Sequence, residues 1–209
     1  MYLCAMNPND TRDKILMQMF HDIRRNGFQG LRADKVVADM GITKGALYHY
    51  FSNKQSIGTA VIDEIIRPNY LSFYRGLDQS VGNPIPLLQE HLDFLASKAT
   101  DEDVSLGCPL NNLVQEMSPL DENFRLRMKA IVESIHDSVA AALERGKANG
   151  FIRPAVNGQA IGRFFFASIE GSYSMAKVSK NGAAFVANME LLKMFLSNLQ
   201  TITSQTVDN

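Results

Sequence analysis

The chain lacks several features that define other protein classes. It has no tryptophan and only two cysteines, Cys4 and Cys108, among 209 residues. Two cysteines cannot supply the disulfide framework of a small secreted domain, and we expect both thiols to be reduced. No apolar run approaches the roughly 18 residues that a membrane span requires. The first residues lack the basic start and the cleavage site of a secretory signal, so we expect a cytoplasmic location.

Net charge is also nearly absent, at −1, but the charges are unevenly distributed along the chain. Residues 1–54 carry eight Lys and Arg against five Asp, a balance of +3. Residues 55–209 carry thirteen basic against seventeen acidic side chains, a balance of −4. A basic head on an acidic body is the asymmetry expected when only one end of a protein contacts phosphate.

Strand patterns are missing as well, because apolar residues recur at helical spacing rather than at every second position. The sequence therefore predicts an all-α fold of about nine helices. We expect Pro68 to kink or restart the long helix that follows Lys54, since proline removes a helical hydrogen bond. The acidic residues 101–103 are interpreted as a linker. The last two helices are predicted at about residues 157–180 and 183–203.

The most informative segment covers residues 31–54, which predict two short helices joined by a tight turn. The first should run over about residues 32–40 and end at Gly41, because glycine adopts the left-handed conformation that closes a helix. Thr43 is a good N-cap for the second helix, predicted at residues 44–50. This arrangement matches a helix-turn-helix whose second helix enters the major groove by its N-terminal residues.

Residues 43–54, TKGALYHYFSNK, resemble the DNA-binding signature of the tetracycline-repressor (TetR) family of bacterial transcriptional regulators. The resemblance extends upstream through Arg12–Leu16 and Asn26–Phe28, which are similar to the family's first helix and to the glycine-aromatic turn that ends it. Taken singly, Tyr48 and Phe51 are better explained as core aromatics, and Lys44 and Lys54 as solvated surface charges. It is the ordered string that favours DNA binding.

The resemblance implies a DNA-binding transcriptional regulator, most often a repressor that a small-molecule effector or a chemical modification releases from a palindromic operator. It implies an N-terminal three-helix helix-turn-helix domain, residues 1–54. A C-terminal helical domain for effector binding and dimerisation would follow, residues 55–209. We expect no cofactor, no metal and no membrane partner.

By the same resemblance, three residues of the second helix face base edges: Lys44, Gly45 and Ala46. Phosphate contacts are expected from four others: Thr43, Tyr48, His49 and Lys54. The family commonly has Ser or Thr near the start of the preceding helix, whereas this chain has Leu31-Arg32-Ala33. Arg32 is therefore expected to replace the lost hydroxyl contact with phosphate.

Cys108 is the most suggestive residue of the body. If Pro109 occupies the first helical position, the thiol lies at the N-cap, where the helix dipole and free N–H groups stabilise a thiolate. Residues 107–118 are similar to a segment of an electrophile-responsive branch of the family, whose cysteine senses reactive carbonyls, quinones or oxidants. Plain packing is the alternative. A thiol enzyme using His91 or His136 as base is disfavoured, because no third orienting group or oxyanion loop accompanies them.

Two further surfaces are predicted in the body. An effector pocket between the middle helices would be lined by Phe94, Met117, Phe124, Phe165 and Tyr173, although such residues are more often core. The resemblance also implies a homodimer through the last two long helices. Mostly small residues on one face support it, namely Ala160, Phe164, Ala167, Gly171, Ser174 and Val178, and an intrachain core contact is the alternative.

Overall fold

The computed structural model describes Asn7 and residues 10–201 of the chain. These residues are helical almost throughout and contain no strand, only an isolated antiparallel bridge between Ile152 and Gln200. The all-α prediction is confirmed. Cys4 lies outside the described residues, so its predicted state is not addressed by the structure.

The helices follow one another with short connections. In chain order they are α1 Thr11–Gly30, α2 Ala33–Asp39, α3 Lys44–Tyr50, α4 Lys54–Ala60, α5 Arg67–Gln79, α6 Ile85–Lys98, α7 Asp101–Leu106, α8 Pro109–Met117, α9 Glu122–Ala148, α10 Gly158–Ser179 and α11 Gly182–Ser197, with a π-helical segment, Val61–Ile66, between α4 and α5. Within the described part of the chain, no helix is both long and apolar enough to cross a membrane.

Helix α1 begins at a side-chain cap and is interrupted near its end at a glycine, and both features can be recognised in the sequence. The Asp10 carboxylate accepts hydrogen bonds from the backbone N–H groups of Arg12 and Asp13, at 2.7 and 3.4 Å, and so caps the helix start. Gly27 has φ 75°, which interrupts the helix three residues before its last residue. This is the predicted glycine-aromatic turn, and it is placed by glycine because other residues rarely adopt positive φ.

The predicted interruption at Pro68 takes the form of a change in hydrogen-bond pattern. The chain remains helical from Lys54 to Gln79, but it passes through the π-helical segment and restarts as α-helix at Arg67. A π-helical turn accommodates a residue that cannot donate a backbone hydrogen bond. The segment is tied to α1, because the Arg12 guanidinium forms two hydrogen bonds with the Glu64 carboxylate, at 2.7 and 2.6 Å.

Two predicted boundaries were wrong. Residues 101–103 form the first turn of α7 rather than a linker, because the Thr100 hydroxyl accepts the Asp103 N–H at 3.1 Å and acidic side chains favour a helix N-terminus. Helix α11 ends at Ser197 instead of near residue 203. There the chain turns, so that Leu199 is buried and its carbonyl accepts the Arg153 N–H at 2.9 Å.

The described helices divide into two compact units. Unit 1 holds the residues up to Ser72 together with Leu106–Glu133, and unit 2 holds Phe73–Ser105 and the residues from Ser134 onward. The division falls within α5, before the last residue of α7 and within α9. It is a grouping by packing, whereas the boundary predicted after residue 54 is a functional one and stays a prediction.

In unit 2, an aromatic cluster forms around the buried Tyr74. The rings of Phe73 and His91 stack 3.9 Å apart, and Tyr74 meets His91 edge-on. Burial lowers the pKa of His91 to about 4, so the imidazole is neutral at pH 7. Burial, and then the charge of Glu170, raise the pKa of Tyr74. Glu170 is itself buried, whereas Arg163 on the same helix is exposed.

Candidate nucleic-acid interface

Helices α2 and α3 are joined as the sequence predicted. Gly41 has φ 71°, and the next N–H, that of Ile42, bonds back to the Val37 carbonyl at 2.8 Å, which closes α2 in a left-handed cap. The Thr43 hydroxyl accepts the Ala46 N–H at 3.2 Å and so caps α3. Helix α3 begins at Lys44 and ends at Tyr50, with the buried Leu47 anchoring it to the core.

The outer face of α3 is exposed and carries little steric bulk at its N-terminal end, as insertion into a DNA groove would require. The side chains of Lys44 and Tyr48 are exposed, as is His49, whose ring packs edge-on against Tyr50. A Cβ built at Gly45 would meet nothing closer than 3.9 Å. Packing within the protomer therefore does not require glycine at this position, whereas close approach of the helix to a flat partner does.

An acidic side chain of α2 contacts the exposed side chains of α3, an interaction that the sequence does not predict. Asp34 of α2 accepts a hydrogen bond from the Lys44 ammonium at 2.7 Å and one from the Tyr48 hydroxyl at 3.3 Å. The bond from Lys44 lowers the pKa of Asp34, and the same bond raises the pKa of Lys44. Asp34 thus holds two of the predicted DNA-contacting side chains in place. Asp34 and Tyr48 are fourteen residues apart in the chain, and no local sequence motif predicts their hydrogen bond.

The remaining predicted contact residues, Arg32 and Lys54, lie at the starts of α2 and α4. Arg32 is exposed at the N-cap position of α2. Lys54 is half-buried, and its ammonium donates to the Gln29 carbonyl at 2.8 Å and lies 5.2 Å from the centre of the Phe28 ring. Lys54 therefore supports the turn before α2, and its phosphate contact stays a prediction. An ammonium has three donors, so one internal bond leaves capacity for a phosphate.

Cys108 occupies the N-cap of α8, as predicted from Pro109. Its Sγ accepts the Asn111 N–H at 3.3 Å and lies 2.8 Å from the Tyr70 hydroxyl of α5, with either atom able to donate. The thiol is buried, with the residue 2% exposed. The Tyr70 contact, across 38 residues, was not foreseen.

The residues predicted to line an effector pocket occupy different environments. Phe124 and Met117 are buried in unit 1, where the Phe124 ring packs 4.7 Å from that of Phe28. Phe165 is buried in unit 2, and Tyr173 packs on Phe185 there, whereas Phe94 is 47% exposed. Core packing accounts for Phe124 and Phe165, and their role as effector contacts stays a prediction.

A helix pair with a capped tight turn, a bare exposed N-terminal turn and flanking cations defines a helix-turn-helix DNA-binding protein. Comparison with known families agrees. Residues 84–192 match the family model described as "Tetracyclin repressor-like, C-terminal domain", and residues 23–61 match "Bacterial regulatory proteins, tetR family". The chain belongs to the TetR family and is a DNA-binding transcriptional regulator, as its resemblance predicted.

Individual relatives are similar over most of their length. An HTH-type transcriptional regulator encoded in the lacX 3′ region of Lactococcus lactis subsp. lactis is 28% identical over 90% of this chain and 93% of its own. The transcriptional repressor NemR of Escherichia coli K12 is 23% identical over 68% of this chain and 71% of its own.

Solved structures share the fold. A TetR-family regulator from Agrobacterium tumefaciens has a TM-score of 0.79 at 22% identity, covering 93% of this chain and all of the other. The reduced form of E. coli NemR has a TM-score of 0.73 at 21% identity, covering 92% of this chain and 98% of its own.

Asp34→Asn is expected to strengthen binding to duplexes of unrelated sequence by about three- to tenfold at low salt. The substitution removes an anion from the surface predicted to face DNA and frees Lys44 for phosphate, which should steepen the salt dependence by about one unit. Fluorescence anisotropy over a salt series measures both. Asp39→Asn is the control, because it removes the same charge from an exposed position of the same helix. Equal gains in the two variants would contradict a specific effect on Lys44.

Proposed function

We propose that this regulator is a repressor that binds a pseudo-palindromic operator as a homodimer and releases it when Cys108 is modified or a small molecule binds. Residues 1–54 would read DNA, and residues 55–209 would carry the effector site and the dimer interface. The names of two relatives support repression, those of NemR from E. coli and DhaR from Mycobacterium sp. GP1. A cytoplasmic location follows from this role.

The outer faces of α10 and α11 support the dimer. Large apolar side chains stand exposed there, among them Val178 at 82% and Met194 at 64% exposure. An apolar surface of this kind on a helix pair marks a protein contact. Of the predicted interface residues, Ala160, Phe164, Ala167, Gly171 and Val178 are exposed in the protomer and Ser174 is half-buried, which favours an intermolecular over an intrachain contact.

The observation that carries the proposed release is the position of the Cys108 sulfur. It caps α8, it contacts the Tyr70 hydroxyl, and it is buried. A carbon adduct on the sulfur cannot occupy this closed space, so the thiol reacts only if Tyr70 or the first turn of α8 moves. Modification therefore selects a conformation of unit 1 that differs from the one described, and DNA affinity falls if that conformation positions α3 differently.

The chemistry is a conjugate addition. With a quinone, the Cys108 sulfur forms a bond to a ring carbon, the ring electrons move to the carbonyl oxygen, and the thiol proton ends on the hydroquinone product. No outside reductant or oxidant is required. Its contacts include a phenol and a backbone N–H, and neither of these groups is a general base of the kind a thiol hydrolase needs.

The test is a gel shift with the DNA upstream of the protein's own gene, comparing wild type with Cys108→Ser before and after exposure to benzoquinone. We expect at least a tenfold loss of operator affinity for treated wild type and little change for treated Cys108→Ser. Mass spectrometry of peptides from the treated proteins shows whether the adduct is on Cys108 or on Cys4. Equal release of both proteins would place the reaction elsewhere, at Cys4 for example. If neither protein releases DNA, reversible ligands become the candidate effectors.

Turnover of an activated thioester or ester by the purified protein would instead favour the enzyme alternative. We expect no turnover, because the relatives are named as transcriptional regulators.

A further inference from the structure

The turn that ends α1 is held by a side chain from a distant helix. Glu116 lies in the last turn of α8, and its Oε2 accepts the Phe28 N–H at 2.9 Å while its Oε1 accepts the Gln29 N–H at 2.7 Å. One carboxylate therefore binds two successive backbone donors, which the break at Gly27 leaves outside the regular α1 ladder. Hydrogen bonds from backbone N–H groups to an ionised carboxylate are among the stronger kind.

The fit around this carboxylate is close. A Cβ built at Gly27 would lie 2.9 Å from Oε2 and 3.0 Å from Oε1 of Glu116, so a larger residue would displace this carboxylate, and the positive φ of 75° also favours glycine. On the carbonyl side, the Lys54 ammonium donates to Gln29 at 2.8 Å. Residues 27–29, the 27–29 turn, are thus held through their N–H groups by α8 and through a carbonyl by α4.

This turn determines how α2 leaves α1. Leu31, directly after it, is buried at 4% exposure, and α2 begins at Ala33. Helix α2 in turn packs on α3. A change in the direction of the chain at residues 27–29 therefore tilts the helix-turn-helix, although no side chain of the turn needs to contact DNA.

We propose that Glu116 is a positioning residue for operator binding: its carboxylate fixes the 27–29 turn and, through it, the orientation of α2 and α3. The same helix begins at Cys108, so α8 links the thiol at one end to the DNA-reading helices at the other. The positional role of Glu116 stands without any effector. The link to Cys108 rests on the proposed function.

Glu116→Gln is the central variant, because it keeps the shape of the side chain but replaces one acceptor oxygen with an NH₂ group that opposes a backbone donor. We expect operator affinity to fall about tenfold, and Glu116→Ala to lose more. The salt dependence of binding should be unchanged, since Glu116 neutralises no phosphate, whereas loss of a true phosphate contact would lower the slope by about one unit. Glu133→Gln controls for the loss of one negative charge at an exposed position of unit 1.

Circular dichroism and thermal melting establish that Glu116→Gln is folded under the binding conditions. A folded Glu116→Gln protein that binds operator within twofold of wild type overturns the proposal, as does a weakened variant whose salt slope is reduced. Glu116→Asp supplies a second variant. It keeps both carboxylate oxygens on a side chain that is one methylene shorter, and we expect it to bind operator more tightly than Glu116→Gln but less tightly than wild type.

The link to Cys108 is measured separately with benzoquinone on wild type and Glu116→Gln. If the adduct acts by withdrawing Glu116 from the turn, it should cost Glu116→Gln less affinity than wild type, because the contact is already weakened. Equal losses in both proteins reject the link. Weak binding by unmodified Glu116→Gln together with no electrophile response in wild type would sustain the positional role and reject the proposed function at Cys108.

Discussion

Phe124→Ala is expected to lower the free energy of unfolding by about 3–5 kcal/mol, the usual loss for a large aromatic side chain in a core. Phe124 is 0% exposed, and its ring packs 4.7 Å from Phe28. Gly58 of α4 also packs against this ring, because a Cβ built at Gly58 would lie only 2.4 Å from the Phe124 ring. The site joins α1, α4 and α9, so the cavity cannot collapse without moving α1, which packs on α2 of the helix-turn-helix.

Urea unfolding followed by circular dichroism measures this loss, provided that the dependence on urea concentration is unchanged between proteins. The control is Phe94→Ala, because it deletes the same atoms from a residue that is 47% exposed and belongs to the same predicted pocket set. We expect the control to change stability by less than about 1 kcal/mol. Similar losses at both positions would contradict the assignment of Phe124 to the core.

Gly171→Arg is expected to convert the dimer to monomer and to reduce operator affinity by at least about a hundredfold. Gly171 is exposed on α10, and a Cβ built there meets nothing within 4 Å, so the protomer has room for a larger side chain. A dimer formed by close approach of α10 does not, and it would also bury a charge. A monomer occupies one half-site only and loses the gain from binding two linked half-sites together.

Gly76→Arg is the matched control, since Gly76 is also an exposed helical glycine with nothing within 4 Å of an added Cβ. Sedimentation equilibrium gives the oligomeric state, and anisotropy on operator DNA gives the affinity. If Gly171→Arg remains dimeric and binds operator as wild type does, α10 is not the dimer interface. If both variants dissociate, the effect is not specific to that face.

The DNA-reading elements could be predicted because their determinants are close together in the chain. The Thr43 hydroxyl caps the N–H three residues away, and Gly41 closes α2 with a bond between Ile42 and Val37. Such caps depend on backbone conformation and on one side chain, both of which a short stretch of sequence specifies. The observed bounds of α3 are therefore the predicted ones, and Cys108 was likewise placed at its N-cap by the proline that follows it.

The boundaries that were wrong involve weaker local signals. Thr100 caps the helix that begins with the acidic residues 101–103, whereas the composition of these residues by itself indicates a linker. Helix α11 stops at Ser197 because the chain beyond it pairs with residues near Ile152, a contact that hydrophobic spacing does not encode. In both places a specific hydrogen bond or a tertiary contact outweighs the periodic pattern.

By itself, the sequence determined the class of fold, the helix-turn-helix, its caps and the N-cap position of the thiol, since these follow from periodicity and short-range hydrogen bonds. Only the tertiary structure decided which groups meet across the chain. Glu116 reaches the Phe28 amide across 88 residues, and Tyr70 reaches the Cys108 sulfur across 38. The distant partner of a carboxylate or a phenol cannot be predicted from the sequence around it, because the packing of the helices determines which groups meet.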